Sequence, residues 1–247
     1  MSARSRASSQ LPATTEESTS TAAKVLSSII EGGARVQGPA VKAYVDRLRQ
    51  HNPNATPAEI VTKLEKHYLA AVMASGAAVG SAAAFPGVGT LVAMSAVAGE
   101  TVVFLEATAV YVLAVAEVYG IPADHRERRR ALVLAVLVGE DSKHAIADLI
   151  GPGRTSGSWL ADGAATLPLP AVSQLNARLL KYFVKRYTLK RGAIAFGKLL
   201  PVGIGAVVGG VGNRVMGKRI VANARKAFGT PPPRWPAALV MLPAPRT

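Results

Sequence analysis

Three glutamates, Glu100, Glu106 and Glu117, interrupt an apolar stretch, and no lysine or arginine lies between Lys66 and Arg126. Glu106 and Glu117 are eleven residues apart, about three helical turns, so a helix carries them on one face while Glu100 points elsewhere. Two carboxylates on one face are the raw material of general acid–base catalysis or of a hard-cation site. The alternative is structural. An ionised carboxylate buried without a partner costs several kcal/mol, roughly, after relaxation, so Glu106 and Glu117 are expected as buried polar residues paired with Arg214 or a neighbouring arginine, or hydrogen-bonded to Asn213. The structural reading, buried ion pairs or solvent-facing positions, is preferred. His51, His67, His125 and His144 lack metal-ligand spacing, and the chain has no cysteine, which excludes disulfides and thiolate zinc sites. The run Gly151–Ser158 lacks the lysine of a phosphate-binding loop and follows no strand, and there is no Gly-x-Ser-x-Gly elbow. The residues imply no enzyme, no cofactor and no metal.

The other chemistry on offer is electrostatic. From Gly163 to Thr247 there are fourteen Lys and Arg and no Asp or Glu, so the whole net charge of +14 is carried by the last third of the chain. A segregated positive surface faces a polyanion, either lipid headgroups or nucleic acid. Within that third, 171–191 reads as an amphipathic helix. Leu175, Leu179, Leu180, Phe183, Val184 and Tyr187 share one face, and Arg178, Lys181, Lys185, Arg186, Lys190 and Arg191 take the flanks and the opposite side. This is the pattern of a helix lying in a membrane interface, and Lys181, Lys185, Arg186, Lys190 and Arg191 are the expected lipid-binding residues. Nucleic acid is disfavoured: no RNA-binding aromatic motif, zinc module or helix-turn-helix is evident, and the basic residues are spaced by long Gly/Val stretches.

The elements that must position these groups read as helices, with no convincing strand alternation. Val25–Glu31 and Val41–Arg49 are short amphipathic pieces. Thr56-Pro57-Ala58-Glu59 is a capping box that opens a helix. Tyr68–Gly99 is uncharged for 32 residues, yet twelve of the seventeen residues from Leu69 to Phe85 are Ala, Gly or Ser. Broken at Phe85-Pro86-Gly87-Val88-Gly89, the run predicts a hairpin of two close-packed helices rather than one membrane span. The second arm runs from about Thr90 to Tyr119 and stops at Gly120-Ile121-Pro122. Asp124 and Glu127 are expected to cap a helix whose continuation, Ala131–Val138, is apolar and buried. A Gly/Pro-rich connection, Gly151–Pro170, precedes the basic helix, and a final helix spans Val207–Phe228. Pro86, Gly87 and Gly89 align with Pro201, Gly203 and Gly205 as candidate hinges, each set leading into an apolar helix. The spacings Gly76-x-x-x-Gly80 and Gly205-x-x-x-Gly209 allow close helix approach. Residues 1–21 are Ser/Thr-rich with no apolar core for a secretory signal, and the tail from Thr230 is proline-punctuated. The expected organisation is a disordered tail over 1–21, a helical domain over 22–229 and a Pro-rich tail over 230–247. That tail is expected to fold back on the body through an apolar patch at Ala237–Leu242.

The Phe85–Gly89 bend, the Ala116-Glu117-Val118-Tyr119-Gly120 helix end and the segment Leu200–Gly210 running into Asn213 and Ala222–Phe228 together resemble the EcsC family of bacterial proteins. The resemblance covers most of Thr56–Phe228. It implies a helical protein of a family named after a gene accompanying an ABC transporter, and it brings no catalytic residues with it. The expectation is therefore an all-α bundle with Gly/Pro-hinged hairpins, on the cytoplasmic face of the membrane, peripheral or partly inserted. Its expected partners are an anionic membrane surface and a membrane protein, and its expected role is accessory to membrane transport or protein processing. Two alternatives stand beside it: a soluble basic bundle binding a protein or nucleic acid, and an integral protein with two or more weakly hydrophobic spans.

Overall fold

The computed structural model describes residues 38–82, 90–121, 123, 125–139, 142, 160, 167–195 and 204–236. Among them are six helices and no strands, an all-α fold. In chain order these are α1 (38–50), α2 (Pro57–Ala82), α3 (Thr90–Val118), α4 (Arg126–Val138), α5 (Leu169–Ala195) and α6 (Ile204–Phe228).

The local signals explain where these helices begin and end. At the start of α2, the Thr56 backbone N–H donates to Glu59 Oε2 at 2.8 Å and the Glu59 N–H donates to Thr56 Oγ1 at 3.3 Å. This is the reciprocal capping box. The bond from the Thr56 N–H, with that from its hydroxyl, holds the Glu59 carboxyl below its usual range. At the end of α3, Gly120 takes φ 69°. There the Ile121 N–H reaches Ala116 O at 2.9 Å and the Gly120 N–H reaches Glu117 O at 3.0 Å, the paired bonds of a Schellman stop. α4 begins differently from expectation. Its N-cap is His125, without a side-chain capping bond, and the Glu127 carboxylate instead accepts from Asn176 Nδ2 at 2.7 Å. Asp124 lies outside the described residues.

α2, α3 and α6 form the central bundle, with α4 packed on α3 and α6 and carrying α5 on its far side. α2 and α3 are antiparallel: the Tyr68 hydroxyl meets Thr108 Oγ1 at 2.9 Å and its ring stacks on Tyr111 at 4.7 Å. Because Thr108 donates onward to Phe104 O, Tyr68 is the donor of that bond. α2 and α6 are also antiparallel. Asn213 Nδ2 donates to Val72 O at 3.0 Å, and further along Arg225 reaches Glu65. Small residues set the spacing here. A Cβ on Gly217 would stand 3.0 Å from both Leu69 Cδ2 and Val72 Cγ2, so glycine lets the two backbones close up.

The core is aliphatic. On α3, Tyr111 to Ala116 are all buried, enclosed by the surrounding helices, and Ala131 to Val136 of α4 are buried likewise. α1 crosses this body through Val41 and Val45, with the Tyr44 hydroxyl 2.8 Å from His67 Nδ1. After α6 the chain folds back over one end of the bundle. Tyr119 OH donates to Gly229 O at 2.8 Å, Trp235 Nε1 donates to Ala55 O at 3.1 Å, and Arg49 lies 4.1 Å over the Trp235 ring. The expected return of the tail is thus present as far as residue 236, while Ala237–Leu242 lie outside the described residues.

Candidate lipid-facing surface

The apolar stripe of α5 is used internally. Val172, Leu175, Leu179 and Phe183 are buried and Leu180 packs against the same core, over α4, the main neighbour of α5. The arrangement is fixed by Asn176, buried at the interface, whose Nδ2 donates both to Glu127 O at 3.0 Å and to the Glu127 carboxylate. A helix lying in the membrane interface needs its apolar face free, so that part of the expectation is corrected for the stretch up to Phe183. Its basic side is outward: Arg178 and Lys181 are exposed. Lys185, Arg186, Lys190 and Arg191 lie on α5, but their side chains are outside the described residues.

α6 presents a different face. Gly210, Gly217, Ile220, Val221, Ala224, Ala227 and Phe228 face inward, and Asn213 and Asn223 bond to the backbone carbonyls of Val72 and Val136. These contacts fix the rotation of the helix about its axis. The outward side then carries Arg214, Lys218 and Arg219, all exposed and, among the described residues, without an ion-pair partner. Val211, Val215 and Met216 lie among them, Val215 being 62% exposed. Cationic and apolar side chains therefore share one solvent-facing surface, on the helix that sequence reasoning gave less weight. The missing signal was available: Gly210 and Gly217, with Ala224, mark the packed side of α6, and Val211 and Val215 fall off it.

The expected buried glutamates are elsewhere. Glu106 is exposed, because it shares the outer face of α3 with Val102 and Val103. Glu117 is partly exposed and lies 3.7 Å from Lys42 of α1 rather than from Arg214. Asn213 is half-buried and bonds to a carbonyl rather than to a glutamate. Among the described residues the buried carboxylates are Glu65 and Glu100. Glu65 forms a two-pronged pair with Arg225, Nε to Oε1 at 2.7 Å and a terminal nitrogen to Oε2 at 2.5 Å. Its burial was legible, since Glu65 falls within the stripe Ile60, Val61, Leu64, Tyr68 and Val72. Around it, Tyr119 is pushed up to about 12 by burial and then by the Glu65 charge, and Tyr111 is raised by the same causes.

Neither the Glu65–Arg225 pair nor the Lys42–Glu117 pair lines either of the two concavities beside the α1–α2 turn. One concavity is lined by Asn52, Glu59, Lys63 and Lys66, the other by Asp46, Arg49 and Trp235. Their charged groups hold the turn itself: Lys63 bonds to Asn52, Glu59 to Thr56 and Arg49 covers Trp235. Among the described residues no three His, Asp or Glu come together. Of the hinge set, Pro86, Gly87, Gly89, Pro201 and Gly203 lie outside the described residues, and Gly205 falls in the first turn of α6. Among the described residues one stretch, Gly99–Val118, is long and apolar enough to cross a membrane, and 61% of that window is buried in the bundle. Comparison with protein-family models, with curated proteins and with solved structures finds no match to this chain.

Proposed function

We propose that this is a non-enzymatic, EcsC-like helical protein that attaches peripherally to the anionic cytoplasmic face of a membrane, as an accessory to membrane transport or protein processing. The observation that carries the attachment is the outward surface of α6. Arg214, Lys218 and Arg219 project to solvent without ion-pair partners among the described residues, in a segment of 85 residues that contains no acid. Each cation near an anionic leaflet contributes about 1 kcal/mol, so the three together give a weak attachment that salt screens. Lys181 on α5 adds a fourth exposed cation. Burial of α3 supports peripheral attachment over spanning, because a core helix passes the same length and composition test as a span.

Flotation with vesicles tests this. The full chain is expected to float with vesicles containing phosphatidylglycerol at low salt and to be released at high salt, while vesicles of phosphatidylcholine alone leave it behind. Equal behaviour with both vesicle types contradicts the proposal. Retention on nucleic acid under the same conditions, with no flotation, favours the rival polyanion.

A further inference from the structure

Attachment through α6 does not by itself say how the helix lies or which polyanion its surface fits, but the order of side chains around the helix does. α6 contains no acid. Gly217 and Ala224 are buried on its packed side, and a Cβ on Gly217 would meet Leu69 and Val72 of α2. At about 100° per residue, Val215 stands almost directly opposite Gly217 and Ala224, and it is the most exposed valine of the helix. Val211 and Ala222 fall within about 40° of Val215, and both are exposed. Three apolar side chains thus form the outermost line of α6. Arg214 and Lys218 border this line on one side and Arg219 on the other, all exposed. Arg225 is turned back to Glu65.

This order separates the two polyanions. A nucleic-acid backbone is bound by cations that neutralise its phosphates, so a helix laid along it carries them on its outermost line. Here that line is apolar. A leaflet requires the reverse arrangement: apolar side chains at the deepest point and long cationic ones at the borders. The stems of those cations stay on apolar surface while their heads reach the phosphates. Resting on the attachment proposed above, we infer that α6 seats side-on in an anionic leaflet, with its axis along the membrane plane. Val211, Val215 and Ala222 face the acyl boundary, and Arg214, Lys218 and Arg219 straddle them and bind lipid phosphates. α2 and α4 pack behind α6 and carry it. The apolar line rises about 16 Å from Val211 to Ala222 and is made of small side chains, so the seat is shallow.

The chain has no cysteine, so single labels are clean. Val215→Cys and Ala222→Cys lie on the line, and Ala71→Cys is exposed on the side of α2 away from α6. Each is coupled to an environment-sensitive fluorophore and mixed with phosphatidylglycerol vesicles carrying an acyl-chain nitroxide. Blue-shifted, quenched emission is expected at 215 and 222 and none at 71. Flotation with no change at 215 and 222, or with an equal change at 71, overturns side-on seating and leaves attachment standing; no flotation at all overturns both. A larger blue shift at 215 with duplex DNA than with vesicles overturns the seating in favour of nucleic acid. A V211S/V215S variant keeps every charge. With its circular dichroism and urea midpoint unchanged, it is expected to lose vesicle affinity by about tenfold, because two half-exposed valines together bury the equivalent of about one side chain. Unchanged affinity would mean that charge alone holds the protein, and overturns the inference.

Discussion

One end of the central bundle and the outer side of its middle are finished in opposite ways. At one end the chain closes on itself: Tyr119 bonds Gly229 and tilts against the Phe228 ring at 5.3 Å, and Trp235 is held by Ala55 and Arg49. Midway along the bundle, by contrast, Val102 and Val103 of α3 and Val211, Val215 and Met216 of α6 meet solvent. The same helices thus carry both finishes. The difference separates residues that hold the fold from residues left over for contact, and substitutions in the two regions are expected to divide accordingly.

The largest effect is expected at the closed end. Phe228→Ala empties a fully buried position and should lower stability by about 3–5 kcal/mol in urea unfolding. A loss below one valine's worth would show that the clasp is dispensable. Arg225→Ala comes next, at about 2 kcal/mol, because it leaves Glu65 buried without its two-pronged partner. The loss stays below that of a fully buried pair because the Arg225 side chain is itself 66% exposed. Glu65→Gln should cost less than Arg225→Ala, since a neutral amide in that pocket bears a smaller desolvation penalty. Trp235→Ala should follow at roughly 1 kcal/mol, from the lost carbonyl bond and the stacked guanidinium. The smallest effect is expected on the outer side of α6, where Val215→Ser should change stability by no more than about 0.5 kcal/mol. A large loss there would mean that the valine supports the fold, and the contrast between the two regions would fail.

Alkaline titration sharpens the same contrast, because Tyr68 and Tyr111 lie inside the bundle and not on its solvent-facing side. Tyr68 is raised by burial, and Tyr119 is pushed up to about 12. Above the ordinary tyrosine value the unfolded chain releases these protons while the folded chain keeps them. Their contribution is therefore fully present below about pH 10 and is lost as pH rises towards the raised folded values. Unfolding midpoints should fall through this window, and Tyr68→Phe should flatten the fall. A flat profile in the unsubstituted protein would contradict the burial of these hydroxyls.

Much of the fold was legible because its signals are local. The capping box at Thr56–Glu59 and the stop at Gly120 need only a few consecutive residues, and both form as read. The basic helix was placed well, but its consequence was not. Periodicity identified the stripe of Leu175, Leu179 and Phe183 without identifying what covers it, and α4 covers it. On α6 the reverse held: glycine and alanine take the packed side, so its valines could not be separated from core residues by apolarity alone. The glutamates failed for a related reason. Glu65 could be placed inside from its stripe, but its partner Arg225, far along the chain, is set only by the packing of α2 against α6. Glu106 faces out beside Val102 and Val103.

The central claim is that the outward face of α6 makes the lipid contact. Flotation of an R214Q/K218Q/R219Q variant with phosphatidylglycerol vesicles, beside the unsubstituted chain at the same low salt, tests it most directly. Release of the variant, with its helicity and urea midpoint unchanged, is the predicted result. Undiminished flotation of that variant, with binding lost instead on replacing Lys181, Lys185, Arg186, Lys190 and Arg191 by Gln, would move the contact to α5 and contradict the account.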